Sequence, residues 1–176
     1  MNKDELLKIK EYALERHIPI IMDDTLEVID KYLTEKRPEK ILEIGAAVGY
    51  SAMCFSEYLK EGGKIDTIER DEERIAEAKE NIKNVGVEEK INIYEGDAVE
   101  ILPTMNDKYD VVFIDAAKGK YSFFLEHALR MLKDDGIILI SYYMNEYCII
   151  KHGFIDGYIK SSIKEELIDK DFHIKS

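Results

Sequence analysis

The 176-residue sequence predicts an α/β fold, a parallel sheet with helices on both faces. Short apolar, β-rich runs alternate with longer amphipathic segments along most of the chain. The central run, Val111-Val112-Phe113-Ile114, is apolar throughout, as a strand buried on both faces requires. Glycines or carboxylates follow the first four runs, where a strand would give way to a loop.

The elements follow in order. Leu6, Ile9, Tyr12 and Ala13 keep helical spacing, and Pro19 within His17-Ile18-Pro19-Ile20 ends that helix. A second helix carries Leu26, Val28, Ile29 and Leu33 inward, with Asp23 or Asp24 as its N-cap. Strand one is Lys40–Ile44, closed by Gly45, and a helix follows from about Ser51 to Leu59, stopped at Gly62-Gly63. Strand two is Lys64–Glu69. A charged helix from Asp71 to about Asn84 turns Ile75, Ala78 and Ile82 inward. Ile91–Tyr94 and Tyr109–Asp115 are strands three and four, Phe123–Leu132 a helix, and Gly136 to about Tyr142 strand five. The C-terminal segment reads as helical from Gly157 to Ile168, with 171–175 supplying only the start of one strand, so the C-terminal strands are expected to be incomplete. One domain is expected, with N-terminal helices at 1–38, a core at 39–142 and a divergent segment at 143–176.

Composition sets limits. No apolar run approaches the roughly 20 residues that cross a bilayer, and the first residues lack a secretory signal, so no membrane partner is expected. The two cysteines, Cys54 and Cys148, show no metal or redox spacing and suit a reducing, cytoplasmic setting. A formal charge of −12 argues against a broad electrostatic grip on nucleic acid, though Lys36, Arg37 and Lys40 cluster, as do Lys118 and Lys120.

Right-handed crossovers bring the strand C-termini to one edge, where such sheets bind ligands. After strand one comes Glu43-Ile44-Gly45-Ala46-Ala47-Val48-Gly49-Tyr50-Ser51, small enough for backbone to approach a ligand ahead of a helix N-terminus. Glu69 ends strand two, where a carboxylate can accept from both ribose hydroxyls. Gly96-Asp97-Ala98 follows strand three and Asp115-Ala116-Ala117-Lys118 strand four. Each has a plainer reading: a tight turn, a solvated strand end, Asp97 as the cap of a turn or short helix. Asp115, directly after four apolar residues, needs a partner. Their recurrence at successive strand ends points to a nucleoside cofactor. With alanine at 47 and tyrosine at 50 the dinucleotide pattern is broken, which disfavours a nicotinamide oxidoreductase. Glu43 suits an ammonium better than a pyrophosphate, so S-adenosylmethionine fits better than NAD.

Together with Thr67-Ile68-Glu69-Arg70 and Phe113-Ile114-Asp115-Ala116-Ala117-Lys118-Gly119-Lys120-Tyr121, these motifs resemble the catechol and caffeoyl-CoA O-methyltransferase family over roughly residues 8 to 140. Within it the pattern is most similar to the branch whose acceptor is 5-hydroxyuridine in bacterial tRNA. The resemblance implies a Rossmann-like, S-adenosylmethionine-dependent methyltransferase with seven strands, the last antiparallel. It implies that Glu43, Gly45, Ala46, Tyr50 and Ser51 surround the methionine end, that Glu69 holds the ribose with Arg70 beside the adenine, and that Asp97 and Ala98 border the ring. It further implies Asp115 as a cofactor-site and catalytic residue and first ligand to Mg²⁺ or another divalent cation, and Lys118 as the base that takes the hydroxyl proton; the plainer reading of Lys118 is a surface lysine. The acceptor would be 5-hydroxyuridine in tRNA or a small catechol-like compound.

One departure matters. The family ends strand five with Asp-Asn, completing its metal site, whereas aligning from Gly136 puts Ser141 and Tyr142 there. Asp115 is left nearly alone and tight metal binding is not expected; Asn145 cannot be placed from sequence. A cofactor-binding protein without turnover is therefore the alternative reading. Tyr142, Tyr143, Tyr147, Ile149, Ile150 and Phe154 are candidates to cover the sheet edge or to form a homodimer contact.

Overall fold

The computed structural model describes residues 1–115, 120–141, 147–151, 154–157 and 173–174. Its elements run α1 (Lys3–Glu15), α2 (Asp23–Lys36), β1 (Lys40–Ile44), α3 (Tyr50–Phe55), β2 (Lys64–Glu69), α4 (Glu72–Val85), β3 (Ile91–Glu95) and α5 (Ala98–Ile101). A 3-10 turn at Leu102–Thr104 leads to β4 (Tyr109–Ile114), α6 (Tyr121–Met131), β5 (Leu132–Ser141), β6 (Tyr147–Lys151), β7 (Phe154–Gly157) and β8 (His173–Ile174).

Five strands are parallel, as the alternating pattern predicts, and they lie in the order β3-β2-β1-β4-β5. β6 continues the sheet antiparallel to β5, β7 antiparallel to β6, and β8 parallel to β7. The described C-terminal residues thus add a hairpin and a short strand, where the sequence reading expected only the start of one strand. Tyr147–Lys151 has the β-branched, apolar composition of a strand, and pairing it with β5 covers the edge that β5 would otherwise expose. The predicted helix at 157–168 lies, from 158 on, outside the described residues.

The sheet separates two apolar layers. Ile41, Ile65, Phe113 and Leu139 face α1 to α4, with Phe55 of α3 meeting the Phe113 ring edge-on at 5.1 Å. Leu42, Ile44, Val112, Ile114 and Ile138 face α5 and α6. Every residue of β4 is buried, including Asp110 at its start, whose carboxylate accepts from the Glu39 and Lys40 amides and from the Lys133 ammonium. Its carboxyl is held below the usual range by those donors against the opposing effect of burial.

Some boundaries shift for local reasons. The N-cap of α2 is Met22, not Asp23 or Asp24; both acids lie in the first turn, where the helix dipole favours them. β5 begins at Leu132, with a register shift opposite Tyr109/Val111, so Lys133-Asp134-Asp135 is strand and not the loop its composition suggests. Lys36 is bound to Asp135, and Lys40 to Asp66 and Asp107, so much of the first basic cluster is committed within the chain. No helix among the described residues is long and apolar enough to cross a membrane.

The loop from β1 to α3 sets the site's geometry. Gly45 (φ 101), Ala47 (φ 46) and Gly49 (φ 81) all adopt positive φ, and the Gly45 and Ala46 amides donate to the Ile68 carbonyl at the end of β2. Gly49 precedes α3, and a Cβ there would lie 3.4 Å from that of Ala78. Gly49→Ala is expected to cost about 1–2 kcal/mol, because an L side chain disfavours this backbone region. Thermal unfolding followed by circular dichroism should show a fall of roughly 2–8 °C.

Candidate active site at the carboxyl edge of the sheet

β1 and β4 are neighbours although β2 and β3 intervene in sequence, so the chain's winding reverses between them. A crevice opens outside the carboxyl ends of strands at such a point. Here it is a cavity of about 880 Å³, within the range of small-molecule sites. Gly45, Ala46, Ala47, Tyr50 and Ser51 contribute from the first loop, Glu69 and Arg70 from the second, Gly96, Asp97 and Ala98 from the third, and Asp115 from the fourth.

Glu69 forms a fixed point in the wall. Its carboxylate accepts from the Ala47 amide at 2.8 Å, the Arg70 amide at 2.9 Å and the Asp71 amide at 3.1 Å. Asp97 caps α5 by accepting from the Val99 amide at 2.9 Å, and it also meets Arg70 at 3.5 Å and Lys120 at 3.6 Å. The Val99 amide, then the two cations, hold its carboxyl below the usual range. Asp97→Ala should therefore lose about 1 kcal/mol of stability with the cap, while Asp97→Asn, which still caps, should recover most of it. Urea unfolding of the two variants separates the cap from the ion pairs.

Asp115 is accessible from the open side of the cavity and crowded by protein on the others. The crowding raises its carboxyl above the ordinary range, and a hydrogen bond from Ser141 opposes the rise. Ser141 lines the same cavity.

A family model described as O-methyltransferase matches residues 26–151, most of the chain. The chain belongs to this O-methyltransferase family. It is similar to the caffeoyl-CoA O-methyltransferase of Populus kitakamiensis, 33% identical over 77% of this chain and 61% of that protein. It is also similar to the catechol O-methyltransferase of Niastella koreensis, 32% identical over 57% of this chain and 48% of that one. Among solved structures, the SAH-bound methyltransferase PaMTH1 of Podospora anserina superposes with a TM-score of 0.71 at 29% identity, covering 78% of this chain and 62% of that one. The chain spans less than two thirds of the length of each of these relatives.

At this cavity, one predicted residue has a different place. Glu43 is fully buried and absent from the cavity lining. Its carboxylate accepts from the Ser51 hydroxyl and from the Thr67 hydroxyl on the neighbouring strand. Strand alternation turns Glu43 to the same face as Ile41, beneath α3, so direct contact with a ligand's ammonium is replaced by a grip on Ser51, which does line the cavity. Burial pushes the Glu43 carboxyl up to about 7, with the two hydroxyls pulling the other way.

Sequence reasoning missed other lining residues. Pro19 to Met22 and Thr25 reach the cavity from the α1–α2 connection and the start of α2, and Tyr121 and Phe124 come from α6. Arg74, in the first turn of α4 after Glu69, lines it too. Its place one turn beyond the acidic strand end was the available signal; the connection offered none, since its contact is made only in three dimensions. Lys118, the predicted base, and Tyr142 and Asn145 lie outside the described residues.

The metal site implied by family resemblance is not matched by the donors among the described residues. Among the described residues no group of three His, Cys, Asp or Glu side chains is placed to hold a metal ion. Asp115 is joined by a neutral hydroxyl, a poor partner for a hard divalent cation.

Proposed function

We propose that this chain is an S-adenosylmethionine-dependent O-methyltransferase whose acceptor is a hydroxylated ring, either 5-hydroxyuridine in tRNA or a small catechol-like compound. The convergence of the four loops after β1 to β4 on one cavity carries this reading. The donor would be held by the Gly45–Ser51 loop at its methionine end, by Glu69 at the ribose and by Arg70, Asp97 and Ala98 around the adenine. The positive-φ loop keeps bulk away from that wall, and Glu69 keeps about one lone-pair site beyond the three its amide donors occupy. Pro19, Ile20, Tyr121 and Phe124 add apolar and aromatic surface suited to a flat ring.

When bound, the donor would supply a sulfonium methyl for transfer to the acceptor oxygen, with its sulfur keeping the electron pair of the C–S bond. The chain's residues align the two reactants, which supplies much of the rate in such transfers. Lys118, assigned from sequence, would take the hydroxyl proton. A cytoplasmic setting and pairing into a homodimer belong to the same proposal.

Isothermal titration with S-adenosylhomocysteine, followed by labelled methyl transfer to hydroxyuridine-containing tRNA and to catechol, tests the reading. Saturable heat and transfer to one acceptor are expected. Folded protein that gives no heat at millimolar ligand would overturn it. Binding without transfer would favour a cofactor-binding protein without turnover.

A further inference from the structure

We propose that the cavity takes its methyl acceptor without a divalent cation, because Ser141 stands where a second anionic metal ligand would be needed. This rests on the methyltransferase reading above, and it concerns the chemistry of the donors.

β4 and β5 run parallel with Ile114 paired to Ile140, so the next residues, Asp115 and Ser141, emerge side by side on the cavity wall. A hard cation binds oxygen, and Mg²⁺ in particular uses one or two carboxylates with water and substrate. Here the oxygen that stands beside the Asp115 carboxylate is the neutral hydroxyl of Ser141, so a cation would gain only one charged ligand from the pair. The Ser141 carbonyl, another oxygen at this point, accepts from the Tyr121 hydroxyl at 3.1 Å. The same pair of side chains suits an acceptor hydroxyl directly: Asp115 can accept its proton in a hydrogen bond and Ser141 can offer its oxygen or its proton.

The probe is Mn²⁺, whose aqueous paramagnetic resonance signal falls when it binds protein. With the full chain and S-adenosylhomocysteine present, any Mn²⁺ affinity is expected to be weaker than about 1 mM, the weak end of oxygen-ligand sites. Ser141→Asp, which sets a second carboxylate beside Asp115, is expected to tighten Mn²⁺ binding at least tenfold. One Mn²⁺ per wild-type chain bound more tightly than about 1 mM, and lost in Asp115→Asn, would overturn the proposal. So would a folded Ser141→Asp protein with no gain. Should that variant fail to fold, the wild-type titration decides alone. A parallel titration with S-adenosylhomocysteine keeps the two readings apart: absent heat counts against the methyltransferase assignment, whereas a strong metal site with normal heat counts only against this one.

Discussion

Glu69→Ala is expected to weaken S-adenosylhomocysteine binding by about 30-fold, the effect of losing a hydrogen bond to a charged group worth about 2 kcal/mol. The residue works in two ways. Its carboxylate ties the Ala47 amide, at a position with φ 46, to the Arg70 and Asp71 amides, and so joins the first two strand-end loops. Glu69 also lines the cavity with acceptor capacity to spare, where a ribose hydroxyl would donate. Truncation removes both, leaving the Ala47 amide without its acceptor as well as the ligand without its anchor. Glu69→Gln should lie between, since one oxygen still accepts while the amide nitrogen opposes a backbone N–H. Isothermal titration gives the affinities, and a melting curve without ligand separates loop loosening from lost contact. Equal affinity in wild type and Glu69→Ala would remove Glu69 from the binding surface.

The parallel half of the sheet was legible because buried strands leave a strong signal. β1 and β2 match their predicted spans, and β3 and β4 differ by one residue at one end. Elements whose character depends on partners were not legible. Ala98–Ile101 is too short for a helical period, although Asp97 did signal its cap. β5 starts in a charged stretch because Lys133 reaches Asp110 on the next strand, a contact no local pattern reveals. At the site the sequence located the loops, and the structure gathers Gly45, Ala46, Tyr50, Ser51, Glu69, Arg70, Asp97, Ala98 and Asp115 around one cavity. Glu43 was read by its nearness to Gly45 in sequence. The period of two in a strand was the better guide, since it sends the side chain to Thr67 and Ser51 beneath the loop.

That placement makes stability depend on pH in an unusual direction. A carboxyl raised from 4.5 to about 7 binds its proton more tightly in the folded than in the unfolded chain. As pH climbs through this window the unfolded state loses its proton first, so Glu43 makes the protein less stable from about pH 4.5 to 7 and adds no further change above. The full difference is about 3 kcal/mol, from 1.36 kcal/mol per unit of pKa. Burial is the main cause of the rise, and the charges of Asp115 and Glu69 add to it. Glu43→Gln keeps the shape, accepts from one hydroxyl and donates to the other, yet never ionises. Its urea-unfolding free energy should therefore match wild type near pH 4.5 and exceed it by about 3 kcal/mol near pH 8. Contributions from other carboxylates, such as the depressed Asp97 and Asp110, are common to both proteins and cancel in the difference. Two curves that run parallel from pH 4.5 to 8 would mean that Glu43 is ionised throughout and that the hydroxyls of Ser51 and Thr67 fully offset its burial.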